Sequence, residues 1–357
     1  MGRELEFLIP GDIRRATGGY VYDRRIVAEL RARGWQVTVH ALDASFPRPS
    51  PAALVHAEAV LAGIPARRLV LIDGLALSAM PQVARAHAAR LALVALVHMP
   101  LSADTQHDPQ RAQQVRQAEI DALRSARHVI VTGSSSRQVL LGYGLQSGQI
   151  SVIEPGTDEV PLARRPPDGS VNMLCVATVH PIKGHELLID ALAPLVSLPW
   201  QLTCIGSVTQ SPETAARVRA QLERCGLSDR VVLLGEVQPP VLAQYFLQSD
   251  LLVLASRFES YCMAIAEGLA YGLPAVSTRT GAIPDLVGDQ AGLLVEIGDL
   301  PGLRAALAAA LSQPGLLARL AEGAAIARQQ LPRWSEVGTK FSGSLQELLW
   351  RKHHAAS

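Results

Sequence analysis

Residues 250–278 read DLLVLASRFESYCMAIAEGLAYGLPAVST. The run opens on an apolar, β-rich segment, passes through a polar loop and continues as a helical pattern. It then turns at Gly272-Leu273-Pro274 and closes on a second apolar segment. A strand, a helix and a second strand in this order form a parallel crossover unit, which packs right-handed onto its own sheet.

The same alternation extends outward in both directions. In the second half, strands are expected at 172–179, 201–205, 230–234, 251–255, 274–278 and 292–295. In the first half they fall at 5–10, 35–42, 68–73, 91–97, 128–132 and 150–153, with amphipathic segments such as 20–33 and 109–125 between them. Between the halves, Pro155-Gly156 is a turn signal, and PLARRPPDG (161–169) is Pro-rich and charged, as linkers are. Two helical stretches, 301–330 and about 335–351, end the chain.

A chain of 357 residues is too long for one ordinary core. The pattern predicts two doubly wound α/β domains, one over 1–160 completed by the helix at 335–351, and one over 165–334. Ligands of such sheets bind at the carboxyl ends of the strands, here in the cleft expected between facing domains.

Composition narrows the function. Nearly half the residues are apolar and the formal net charge is +1, so no global field draws nucleic acid or anionic lipid. Cys175, Cys204, Cys225 and Cys262 include no CxxC pair, and Cys175 and Cys204 sit inside strand-like runs. They read as buried free thiols of a reducing compartment, with no tight Cys/His cluster for zinc. MGRELEFLIPG runs straight into a strand without a signal-peptide core, and no apolar run approaches the roughly 20 residues of a bilayer span. Cytoplasmic residence is expected. The terminal WRKHHAAS carries too few cations for stable membrane anchoring, which leaves peripheral contact open.

Three elements carry chemistry. In the first, Glu259 and Glu267 stand eight positions apart, one before a helix and one within it. The amides of Ser260, Tyr261, Cys262 and Met263 open that helix and make a ready anion site. Glu267 is placed to accept two hydroxyl hydrogen bonds, as a ribose diol would offer. In the second, VATVHPIKG (176–184), Lys183 follows a strand beside Gly184 and ahead of HELLIDALAPL, putting an ammonium where a diphosphate would sit. In the third, Gly18 and Gly19 follow the first strand, where bare backbone can approach a phosphate. No GxGxxG motif accompanies them, so a nicotinamide site is not supported. His98 ends the apolar run LALVALVHMP, and Arg14-Arg15 precedes the glycines as a solvated pair. Ser134-Ser135-Ser136 reads as a helix cap.

The ordered string from Ser256 through the two glutamates, the Gly272-Leu273-Pro274 turn and Thr280-Gly281-Ala282-Ile283-Pro284 resembles the GT-B-fold retaining glycosyltransferases of family 4, the glycosyl transferases group 1. The resemblance implies that Glu259 contacts a donor sugar, that Glu267 holds the ribose, and that Lys183 binds the diphosphate. It also implies that Gly18-Gly19 face the donor phosphates, that His98 lies near the sugar, and that 236–246 cradle the base. Where the family has a Gly-Arg before its Lys-Gly, this chain has Ala177-Thr178, so one customary phosphate cation is absent. The implied reaction moves a hexose from a UDP- or GDP-linked donor to a small-molecule, glycan or lipid acceptor. It retains the anomeric configuration by a front-face route and needs no metal and no cofactor. Two rivals remain: a degenerate GT-B protein that binds a nucleotide sugar or a partner without turnover, and a nucleotide-sugar epimerase.

Overall fold

The computed structural model describes residues 3–105, 109–163 and 169–354. The chain divides into two compact units. The first takes in the chain up to Arg15, Gly19–Gly156 and the residues from Trp334 onward; the second is Thr157–Arg333 together with Ala16–Gly18. Val160 and Ala163 pack on the second unit's core, so the boundary lies a few residues before 160. Within the expected linker, Arg164–Asp168 lie outside the described residues.

The first unit holds β1 (Glu4–Pro10), β2 (Gln36–Leu42), β3 (Leu69–Asp73), β4 (Ala92–Val97), β5 (His128–Val131) and β6 (Ile150–Val152). They form one parallel sheet in the order β2-β1-β3-β4-β5-β6. β3, β4 and β5 are buried at every position, which is why they read as unbroken apolar runs rather than alternating ones.

The final helix, Trp334–His354, belongs to this unit. Trp334 and Phe341 pack around Tyr22, Trp35 Nε1 donates to Ser342 Oγ at 2.9 Å, and Arg33 donates to the Ser335 carbonyl. Tyr22 in turn donates to the Ile153 carbonyl at 2.9 Å. Among the described residues no helix is long and apolar enough to cross a membrane.

The second unit holds β7 (Val171–Val176), β8 (Trp200–Ile205), β9 (Val231–Gly235), β10 (Leu251–Leu254), β11 (Ala275–Thr278) and β12 (Gly292–Val295). All pair in parallel, in the order β12-β11-β10-β7-β8-β9. The two halves therefore differ in winding. The second has the dinucleotide-fold order, reversing between β7 and β10, whereas the first reverses between β1 and β3.

Three local expectations are corrected. β7 stops at Val176 rather than 179, although Ala177 and Val179 remain buried and donate to the Ile205 and Ser207 carbonyls. The stretch 301–330 is two helices, Leu300–Ser312 and Pro314–Ala327, because Pro314 cannot continue the first. The helix Ser134–Leu141 has Gly133 at its cap position and no side-chain cap bond, so the three serines lie inside the helix.

Candidate functional site

In the second unit the strand order reverses between β7 and β10, and the loops leaving their carboxyl ends are stitched together. Arg257 N donates to the Ile182 carbonyl at 2.7 Å. Gly184 sits in the left-handed region (φ 68°) with its α-carbon against the Ala255 carbonyl, where no side chain fits. That glycine ends the short 3-10 turn Pro181–Lys183 and begins the helix His185–Leu192.

This arrangement brings two of the sequence candidates into contact. Lys183 Nζ meets Glu259 Oε1 at 2.7 Å, and Ser256 Oγ donates to the same oxygen at 2.8 Å. The backbone around the pair is fixed as well. Thr278 Oγ1 donates to the Ser256 carbonyl at 2.5 Å, and Glu259 N donates to Thr280 Oγ1 at 3.2 Å. Gly281 (φ 59°) packs on the Glu259 carbonyl. Burial pulls the Lys183 ammonium down, but the Glu259 carboxylate more than offsets it and holds the amine above its ordinary value. The lysine thus stands as a charged partner of Glu259 rather than as an isolated cation.

The helix Met263–Ala270 follows, with Cys262 as its N-cap at φ 82°. A non-glycine residue in that region costs on the order of 1–2 kcal/mol, here within a segment where Ser260, Tyr261 and Cys262 are all buried. Burial, with Glu259 nearby, pushes the Cys262 thiol well up, so it is neutral. Glu267 is half-buried on this helix, and Met263 opens it. Thr178 is half-buried in the loop after β7 and contributes no charge.

Gly18 and Gly19 open the helix Gly18–Ala32, and in the first unit His98 follows β4. Two carboxylates absent from the sequence candidates flank that imidazole. His98 Nε2 lies 2.9 Å from Asp23 Oδ1 and 3.5 Å from Asp73 Oδ2, and Tyr22 meets the ring edge-on. Asp23 and Asp73 are buried, and Asp73 also accepts from Leu75 N at 2.7 Å. Burial, reinforced by the Asp23 charge, pushes Asp73 up to about 7. Burial works against the imidazolium, yet the two carboxylates raise His98 above its ordinary value. Asp23 thus hydrogen-bonds the ring, and Asp73 stands beside it as a second buried carboxylate.

Asp73 carried a readable signal, a carboxylate closing the apolar strand LVLID. Asp23, inside a helix, carried none.

A Cβ on Gly19 would stand 3.0 Å from His98 Cδ2. The bare glycine therefore leaves room for the His98 ring. Gly19→Ala is expected to displace the ring and lower stability by about 1–3 kcal/mol, read as a drop in unfolding temperature; an unchanged temperature would contradict the close packing.

Arg14 is held by Asp12 at 2.7 Å in solvent, and Arg15 lies over the Tyr20 ring. The segment 236–246 includes the start of the helix Pro239–Gln248.

The fold of the whole chain is shared with GT-B glycosyltransferases. Sucrose-phosphate synthase from Thermosynechococcus elongatus superposes with a TM-score of 0.81 at 21% identity, covering 99% of this chain and 100% of that one. HepE from Anabaena, in complex with UDP-glucose, gives 0.75 at 18% identity, covering 96% and 99%. The model of the glycosyl transferases group 1 matches residues 170–313, which lie within the second unit. Among curated proteins, D-inositol 3-phosphate glycosyltransferases are similar. The protein from Acidothermus cellulolyticus is 28% identical over 259 residues, 67% of this chain and 57% of its own length. That from Pseudarthrobacter chlorophenolicus is 26% identical over 281 residues, 74% and 66%. The chain thus spans 57% and 66% of the length of these two curated relatives.

Proposed function

We propose that the protein is a cytoplasmic, retaining glycosyltransferase that moves a hexose from a UDP- or GDP-linked donor to a small-molecule, glycan or lipid acceptor. The observation that carries this reading is the Lys183–Glu259 pair at the reversal of the second sheet, beside the amides that open the helix at Met263. It joins a cation suited to a diphosphate and a carboxylate suited to sugar hydroxyls on backbone that is already fixed. The names of the relatives, and the UDP-glucose bound by HepE, support the nucleotide-sugar class.

In this reading the diphosphate draws Lys183 away from Glu259. The carboxylate is then released to the sugar hydroxyls as the leaving group departs. Glu267 holds the ribose, and Gly18 and Gly19 offer amides to the phosphates. His98, whose protonated form is favoured by the neighbouring carboxylates, donates to the sugar. The departing diphosphate itself takes the acceptor proton, so neither a general base nor a metal is required. Turnover should persist with a chelator present; recovery on adding Mg²⁺ or Mn²⁺ to a chelator-inactivated enzyme would overturn the metal-free scheme.

Thr178 favours a second reading, a donor-binding protein without turnover. Thermal unfolding against UDP, GDP, ADP, dTDP and their sugar conjugates tests both. At 100 times its dissociation constant a ligand stabilises the native state by about 2.7 kcal/mol. One responding base is expected, together with slow donor hydrolysis when acceptor is omitted. Binding without hydrolysis or transfer favours the second reading, and no response to any nucleotide rejects both.

A further inference from the structure

Beneath the Lys183 loop lies a cluster that the transfer reaction does not use. Cys175 and Cys204 are direct partners across the paired strands β7 and β8. His185, the first residue of the following helix, reaches them, with Nε2 3.8 Å from Cys175 Sγ. One ligand atom from each of the three residues lies within 4.8 Å of the others, and all three residues are buried. The sequence shows no tight Cys/His cluster; parallel strand register and a helix start assemble one from positions far apart in the chain.

The geometry points to a binding site for one thiophilic d10 divalent cation, best represented by zinc(II), formed by Cys175, Cys204 and His185. Around such an ion, with metal–sulfur bonds of about 2.3 Å and metal–nitrogen bonds of about 2.0 Å, the sulfur–nitrogen edge is roughly 3.5–3.8 Å. The observed separation lies at that edge and is long for a hydrogen bond from an imidazole. His185 Nδ1 is buried and meets no hydrogen-bond partner among the described residues, so the ring's polar engagement is with the thiols.

Softness selects thiolate-loving metals over magnesium or calcium. Charge selects a divalent one, because two thiolates neutralise it, whereas a monovalent ion would leave net charge in an apolar interior. The ion would tie β7, β8 and the start of the helix together directly below Lys183. Three protein ligands leave its fourth position to a small exogenous donor such as water, and the bound ion would stiffen the loop from 177 to 184.

The test uses the full-length protein purified without chelator. Elemental analysis and a Co²⁺ titration are expected to give one equivalent, with a thiolate-to-cobalt absorption band. Cys175→Ser and Cys204→Ser should each weaken Co²⁺ binding by more than about 100-fold, while Cys225→Ser binds as wild type. Zinc should raise the unfolding temperature of the wild type but not of the two serine variants.

A wild-type protein that takes up no Co²⁺ overturns the proposal without recourse to any variant. So does a cobalt band that survives in the double Cys175→Ser/Cys204→Ser protein. Peptide mapping of freshly alkylated protein that recovers a Cys175–Cys204 disulfide overturns it as well. None of these readouts depends on turnover, so they stand apart from the glycosyltransferase reading.

Discussion

Lys183→Met is expected to lower turnover by about 10²–10³-fold, the size of the loss when one preorganised donor to a developing anion is removed. It should also abolish stabilisation by the nucleotide diphosphate. A stability cost comes from the other partner. Glu259, whose side chain is 9% exposed, would keep its hydrogen bond from Ser256 and lose its cation. Breaking a fully buried pair costs about 3–5 kcal/mol, and the 25% exposure of the Lys183 side chain places this pair below that range. The Lys183→Met/Glu259→Gln double variant should recover most of the lost stability and none of the activity. That split separates a pair that holds the fold from a pair that also meets the donor. Wild-type turnover in Lys183→Met would end the proposal for this lysine.

The second large effect is a pH dependence arising in the first unit. Asp73 titrates at about 7 in the fold, whereas an aspartate in the unfolded chain titrates near ~3.9. Between those values the folded state keeps a proton that the unfolded state has released. Stability therefore falls as pH rises through that window, by up to ~1.4 kcal/mol per pH unit.

His98 acts in the same sense. Its folded pKa is raised, so its contribution is complete below the unfolded value of about 6.5 and is lost as pH climbs through the folded one. Thermal unfolding of the wild type should weaken steadily from pH 5 to 8. Asp73→Asn, which can still accept from Leu75 N, should show a much flatter profile. Parallel profiles for the two proteins would mean that Asp73 does not hold the proton.

Much of the fold was legible because parallel strands buried on both faces must be apolar throughout. LVLID, ALVALV and DLLVLAS could be read as strands on that ground alone. Their ends were less legible: Ala177 and Val179 stay apolar beyond the last ladder position because they remain buried. Winding order was not legible, since a strand's sequence does not name its neighbour, and the two sheets differ in this respect.

The candidate site was legible where chemistry and turn signals coincide, as at Lys183-Gly184 and at Glu259 ahead of its helix. That the two side chains meet was not, because they lie on separate crossover units. Asp23 and the Cys175–His185–Cys204 group show the same limit. Each depends on which strand lies beside which.

The return of the final helix to the first unit sets an order of events during synthesis. Trp35 leaves the ribosome 307 residues ahead of Ser342, to which it donates, and Arg33 leaves it 302 residues ahead of Ser335. All six strands of the second unit lie in the stretch Thr157–Arg333, which is made in between and can close before Trp334 and the residues after it have emerged. The first unit is thus begun before the second and completed after it, with Tyr22 and Trp35 uncovered until the helix at Trp334 has emerged.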